Sequence, residues 1–241
     1  MKIGRKVPRS KTGRRFVIAD IHGCYKTLHV LLFDQLDLNR QDQLFLLGDY
    51  IDKGPRNKHV LDLIITLVEE QFQVYPLKGN HEYFLLRDLE YNVLPSSTHR
   101  LGDLVSSKDL LETYNRINYK YIEFFESLPI FYELDDFILV HAGLNFHLED
   151  PLSDTDSMMY IRNFEVDRAK MKDKILIHGH TPVTKEVIEH TVANHGEIGA
   201  INLDNGCVLK ISPSGKERQG YGQLCALELN TMRLSWQENI D

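Results

Sequence analysis

A chain of 241 residues, 42 % apolar and 26 % charged, suits one large soluble globular domain with a substantial core. Its formal net charge of −7 excludes a molecule built as a whole to bind nucleic acid. No apolar run approaches the roughly 20 residues that span a bilayer, and the basic N-terminus lacks the apolar stretch of a secretory signal.

Residues 1–14 carry Lys2, Arg5, Lys6, Arg9, Lys11 and Arg14 and no acid, so they are expected as a basic, partly disordered arm on a single domain spanning 1–241. The apolar run Arg15 to Ala19 then predicts a buried strand. It ends in Asp20-Ile21-His22-Gly23. If that segment is extended, side chains two apart share a face, and Asp20 and His22 can converge. A hard oxygen ligand beside a nitrogen ligand suits a borderline divalent metal.

Leu28, Leu31, Leu32 and Leu36 predict a helix over 25–36. Gln43 to Leu47 is the next strand, closed by Gly48-Asp49. A second helix, with Val60, Leu61, Ile64, Leu67 and Val68 on one face, is expected over 57–70, with Asn57 as its cap. Phe72 to Leu77 predicts a third strand, ending in Lys78-Gly79-Asn80-His81-Glu82, and a helix is expected over 82–90. The stretch 91–118 fixes little beyond a helical pattern over 108–116; it suits a surface excursion over the site. A helix over 119–127 follows.

Strand signals dominate thereafter. Ile130 to Leu134 and Phe137 to Val140 flank a hairpin turn at Asp135-Asp136. Further short strands are expected over 174–177, 186–191, 200–203, 207–211, 224–229 and 233–236, with Asp204-Asn205-Gly206 as a hairpin turn. This predicts a second sheet packed on the first. Cys24, Cys207 and Cys225 are odd in number and scattered, which argues against a disulfide framework and for a reducing, cytoplasmic setting. Cys24 suits a packed side chain better than a nucleophile.

Five strand ends finish in groups able to bind metal: Asp20-Ile21-His22-Gly23, Gly48-Asp49-Tyr50-Ile51-Asp52, Gly79-Asn80-His81-Glu82, His141-Ala142-Gly143 and His178-Gly179-His180-Thr181-Pro182. Ligands bind beyond the carboxyl ends of strands in open α/β sheets, and turn chemistry alone does not favour His there. The mixed oxygen and nitrogen donors point to two divalent ions. Asp49 is the natural bridging carboxylate. Asp20 and His22 would complete one ion. Asn80, His141 and His180 would complete the other, although on spacing alone His178 serves as well as His180. Six protein ligands for two ions leave room for water and substrate, which marks a catalytic site.

These ordered motifs resemble those of PPP-type serine/threonine protein phosphatases within the calcineurin-like metallophosphoesterases, in particular the short bacterial and phage members. The match runs from Ala19, where Gly is usual, to Thr181. The resemblance implies an α/β fold of four layers, a β-sandwich of two mixed sheets flanked by helices, with the site at one sandwich edge. It implies Asp20, His22, Asp49, Asn80, His141 and His180 as metal ligands, a shared metal-bound water attacking phosphorus in line, His81 as the acid for the leaving group and Asp52 as its orienting partner. His178 then becomes a supporting residue. Lys53 stands where the family has a phosphate-clamping Arg, and a Lys cannot reproduce a bidentate guanidinium contact. Arg56 lies three residues on and could compensate. Arg162, in Met159-Tyr160-Ile161-Arg162, resembles the second clamp, and Asn80 would also face the phosphate.

The implied cofactors are two divalent ions, manganese first, with iron, zinc, cobalt or nickel compatible with the same donors. The function expected is hydrolysis of phosphoserine or phosphothreonine in proteins. A symmetrical diadenosine-tetraphosphate hydrolase is the alternative; those enzymes usually carry Asp where this chain has Glu82. A non-catalytic module that binds a phospho-ligand is the third reading. The partner is a phosphoprotein or a small phosphoester, with neither nucleic acid nor membrane as the main partner.

Overall fold

The computed structural model describes residues 4–90, 105–111, 117–212 and 214–241. Its architecture follows from strands that are apolar on both faces. In β2 (Arg15–Ile18), Phe16 and Ile18 enter one core and Val17 another, because neighbouring side chains on a strand point to opposite faces. The same alternation splits β3 (Gln43–Leu46): Leu44 and Leu46 join Phe16, and Phe45 joins Val17.

Two mixed five-stranded sheets result. In the first, β2, β3 and β4 (Gln73–Pro76) are parallel, and β9 (Gln223–Glu228) and β10 (Arg233–Glu238) add antiparallel, in the order β10-β9-β2-β3-β4. In the second, β1 (Gly4–Lys6), β5 (Phe131–Glu133), β6 (Phe137–Val140), β7 (Ile175–His178) and β8 (Ala200–Asn202) lie in that order, with only the β5–β6 pair antiparallel.

Between the sheets, Val17, Phe45, Leu47 and Leu227 meet Tyr132, Leu139, Ile177 and Ile201. Outside the first sheet, Phe16, Ile18, Leu44 and Leu46 pack with Leu28, Leu31 and Leu32 and with Val60, Leu61 and Ile64. These come from α1 (Tyr25–His29), its π-helical continuation Val30–Gln35 and α2 (Asn57–Glu69). Outside the second sheet, Ile138, Val140 and Leu176 pack with Met158, Met159 and Met171. The expected sandwich of two mixed sheets flanked by helices is therefore observed.

Several local expectations change. The basic N-terminal segment contributes strand β1, paired in parallel with β5, and the Arg14 backbone amide and guanidinium bind Asp42. Residues 186–191 are not a strand; they lie within the helix Lys185–Ala193. Ile188 and Val192, four apart, turn into the inter-sheet core, which is a helical spacing. Residues 207–211 begin as a 3-10 turn, Cys207–Leu209, entered from Gly206 at φ 62°. Asp204-Asn205-Gly206 joins no two paired strands. Instead Asp204 accepts the Gly206 amide at 2.7 Å, and the Asn205 side chain donates to the Val183 and Gly220 carbonyls. Asn57 is the first residue of α2 rather than its cap; Asp109 accepts from the Lys58 amide instead. Of the surface excursion expected over 91–118, residues 91–104 and 112–116 lie outside the described residues; of its helical pattern over 108–116, residues 108–110 close the 3-10 helix Val105–Leu110. No helix among the described residues is long and apolar enough to cross a membrane.

The fold delivers the carboxyl ends of β2, β3, β4, β6 and β7 to one edge of the sandwich. Contacts across the two sheets prove the convergence. The His180 amide donates to Asp20 at 2.9 Å, and the His141 ring lies against both the Leu47 carbonyl and the Asn80 side chain.

Candidate metal centre

The loops at this edge leave the strands through left-handed backbone. His22, Asp49, Asp52, Lys53 and His180 all have positive φ, from 47° to 70°. Each such non-glycine residue costs on the order of 1–3 kcal/mol, and such strain gathers where function over-determines the conformation. Asp20 and His22 therefore converge through a turn and not through an extended strand: β2 ends at Ile18 and the chain reverses at His22. The Ile21 and His22 amides both bind the Asp49 carbonyl, at 3.1 and 2.8 Å, locking the first loop to the second. Gly179 is required by contact alone, because a Cβ there would lie 2.1 Å from Asp20 Oδ2.

Two clusters share Asp49. His22, His81 and Asp49 form one; Asp49, His141 and His180 form the other. His22 Nε2 is 3.6 Å from Asp49 Oδ2, and His141 Nε2 is 3.4 Å from Asp49 Oδ1. Asn80 Oδ1 lies 2.8 Å from His141 Nε2 and 2.9 Å from His180 Nδ1. Neighbouring carbonyls fix two of the rings. His22 Nδ1 lies against the Ile51 carbonyl and His141 Nδ1 against the Leu47 carbonyl, which leaves Nε2 of each ring facing Asp49.

The donor set fits cations on physical grounds. Asp20 Oδ1 is buried and finds no hydrogen-bond partner among the described residues. His141 Nε2 faces the Asn80 amide oxygen at 2.8 Å and Asp49 Oδ1 at 3.4 Å, so nitrogen and oxygen donors converge on one point. Burial pushes the Asp49 carboxyl well up, and Asp20 and Glu82 add to that rise. Burial also holds His22 down to about 3, with help from Lys53, and His180 down to about 4, with help from His141. Neutral imidazoles and crowded buried carboxylates are what divalent ions bind. All six expected ligands, Asp20, His22, Asp49, Asn80, His141 and His180, lie here.

His81 sits differently. Its Nδ1 contacts Asp52 Oδ2 at 2.6 Å while its Nε2 lies 3.7 Å from Asp49 Oδ2. Burial lowers its pKa, but the Asp52 bond and the Asp49 charge outweigh that and raise it above the usual imidazole value. Lys53 Nζ donates to His22 Nε2 at 2.8 Å, placing an exposed cation at the mouth. Arg162, also exposed, is near enough for its charge to depress His180. Arg56 is elsewhere: its guanidinium pairs with Asp241 at 3.0 Å. His178 packs edge-on against Phe164, with ring centroids 5.2 Å apart, outside both clusters. Cys24, Cys207 and Cys225 are buried and free.

Two residues here have roles that motif reading missed. Glu82 accepts hydrogen bonds from the Asp49, Tyr50 and Gly79 amides, and Ser107 donates to Asp52. The first could be suspected from its place beside Asn80-His81; nothing marked the second.

The family model of the calcineurin-like phosphoesterases matches residues 13–204. The chain belongs to this family. This calcineurin-like phosphoesterase is similar to the asymmetrical bis(5'-nucleosyl)-tetraphosphatase PrpE of Oceanobacillus iheyensis. The two are 31 % identical over 220 residues, covering 80 % of this chain and 83 % of the relative. The Anoxybacillus flavithermus protein of the same name is 26 % identical over 224 residues, with 80 % and 85 % covered. Among solved structures, a serine/threonine phosphatase from Saccharomyces cerevisiae matches with TM-score 0.65 at 15 % identity, covering 100 % of this chain and 84 % of that one. That likeness shows the fold. The calcineurin-like phosphoesterase is thus an enzyme type with a divalent-metal site.

Proposed function

We propose that this phosphoesterase hydrolyses dinucleoside tetraphosphates asymmetrically, in a site that uses two divalent ions. The chemistry is supported above all by one arrangement, Asp49 standing between the two clusters with an oxygen toward each. The substrate class is supported by the relatives named asymmetrical bis(5'-nucleosyl)-tetraphosphatase; this reading comes ahead of the expected protein-phosphatase activity and changes the alternative, a dinucleoside-tetraphosphate hydrolase, from symmetrical to asymmetrical cleavage.

In this reading Asp20, His22 and Asp49 would hold one ion, and Asp49, Asn80, His141 and His180 would hold the other. Manganese suits these oxygen and imidazole donors. Such ions, when bound, supply Lewis acidity and a water acidic enough to attack phosphorus at neutral pH. Lys53 and Arg162 would neutralise phosphoryl oxygens from the open side, and the Asn80 amide would also face the phosphate. Asp52 accepts the hydrogen bond of His81 Nδ1–H and stabilises the imidazolium without taking its proton. His81 then delivers its Nε2 proton to the leaving oxygen. The three buried free cysteines favour a reducing, cytoplasmic setting.

The test is product analysis of a dinucleoside tetraphosphate. A mononucleotide with a nucleoside triphosphate supports the proposal; two diphosphates mean symmetrical cleavage, and an intact substrate ends it. The His81–Asp52 pair favours a second reading, phosphoserine or phosphothreonine hydrolysis. A serine alkoxide needs a proton to leave, whereas a phosphate leaving group needs one far less. Faster turnover of a phosphopeptide than of the dinucleotide supports that reading.

A further inference from the structure

We propose that Ser107 is a positioning residue for the leaving-group acid, acting through Asp52. The inference rests on the assignment of His81 as that acid. Ser107 is 55 residues from Asp52 in sequence, on the 3-10 turn Val105–Leu110. Its hydroxyl donates to Asp52 Oδ1, while Asp52 Oδ2 takes the His81 ring at 2.6 Å. Ser107 and His81 thus engage different oxygens of one carboxylate. Ser107 is only 4 % exposed, so water does not readily replace it.

The turn that carries Ser107 is also fastened to the helix that follows the Asp52 loop. Asp109 accepts from the Asn57 side chain at 2.9 Å and from the Lys58 amide at 2.8 Å, in the first turn of α2. A carboxylate at that helix end also meets the positive end of the helix dipole. Leu110, 1 % exposed, anchors the turn in the helix-side core. Ser107 and Asp109 thus hold the Asp52 loop and the start of α2 from one turn.

The physical need is torsional. The bond that turns a carboxylate group is soft, with no sharp minimum to hold it. A carboxylate held by one oxygen can swing and carry the imidazole with it. A second donor on the other oxygen fixes the carboxylate plane and so fixes the direction in which His81 Nε2 points. Misaimed proton transfer slows only those reactions whose leaving group needs the proton. That separates positioning from a merely structural role.

The experiment compares manganese-loaded wild type with His81→Asn, Ser107→Ala, Ser107→Cys and Ser107→Thr on phenyl phosphate and 2,4-dinitrophenyl phosphate. His81→Asn is expected to lose about 10²–10⁴-fold on the phenyl ester and little on the dinitrophenyl ester. Ser107→Ala is expected to lose about tenfold on the phenyl ester alone, the worth of one charge-assisted hydrogen bond. Ser107→Thr restores the rate, and Ser107→Cys, a weaker donor of similar shape, falls between. Equal losses on both esters, or none, overturn the proposal when His81→Asn still discriminates between them. If His81→Asn does not discriminate, the acid assignment itself fails. A readout free of turnover is the low-field Nδ1 proton resonance of His81 in metal-free protein, assigned by its loss in His81→Asn. It should shift or broaden in Ser107→Ala and recover in Ser107→Thr; an unmoved resonance overturns the proposal.

Discussion

Glu82 holds Asp49 in place: its carboxylate accepts the Asp49 amide at 3.0 Å and, from the same buried position, the Tyr50 and Gly79 amides at 2.8 and 2.9 Å. One side chain in the first turn of its helix therefore ties the loop after β3 to the loop after β4. The proposed bridging carboxylate owes its position to an acid that is not in either cluster.

Glu82→Ala should accordingly destabilise the chain by about 3–5 kcal/mol, because three buried donors lose their acceptor at roughly 1–3 kcal/mol each before relaxation. Metal affinity should fall with it. Glu82→Gln, which keeps one carbonyl acceptor, should cost less. Chemical denaturation and metal titration of the two variants check this; equal stability of Glu82→Ala and wild type would sink it.

Inhibition by inorganic phosphate should separate Lys53 from Arg56. Arg56 is engaged with Asp241, so Arg56→Ala should leave the inhibition constant unchanged. Lys53→Ala should weaken inhibition about ten- to hundredfold, the worth of one charge-assisted contact. The opposite ranking would move the clamp to Arg56.

The same Asp241 carboxylate accepts the Lys26 and Thr27 amides at 3.1 and 3.0 Å and the Thr27 hydroxyl at 2.9 Å. It acts as the missing cap of α1, whose own preceding residue, Cys24, supplies no side-chain bond. Asp241→Ala should lower stability by about 1–2 kcal/mol. Thermal unfolding would show it, and an unshifted midpoint would refute it.

Asp42 should make stability depend on acid pH. Burial raises its carboxyl, but hydrogen bonds from Arg14 and from the Asn39 amide outweigh that and hold the pKa below the usual carboxylate value. A group depressed in the folded state stabilises above its unfolded pKa, about 3.9, and loses that contribution as pH falls through the folded value. Arg14 is 39 % exposed, which limits the contribution to about 1–2 kcal/mol. Urea unfolding should therefore show Asp42→Asn weaker than wild type at neutral pH, with the gap closing below about pH 4. A gap that does not change with pH would contradict the assignment.

The site was legible in sequence wherever a ligand type stood at a strand end. Asp20, His22, Asp49, Asn80, His141 and His180 could be gathered because each follows an apolar run, and parallel strands end on the same side. The mode of convergence was not legible. Left-handed backbone at His22, Asp49 and His180 is a product of loops gripping one another, as in the Ile21 and His22 amides on the Asp49 carbonyl. The helix at Lys185–Ala193 has the look of a strand in sequence because its β-branched residues mimic one, while the period that matters lies in Ile188 and Val192 alone. Ser107 carried no local signal, since its meaning comes from a contact 55 residues away.

The proposed chemistry turns on a pair of ions that would share Asp49. The most direct measurement is titration of metal-stripped protein with manganese, reading bound ions and turnover of a dinucleoside tetraphosphate together. Wild type should bind two ions per chain and gain its activity with the second, and Asp49→Asn should lose both the second ion and the turnover. Full activity with one ion or none, or two ions held undiminished by Asp49→Asn, would contradict it.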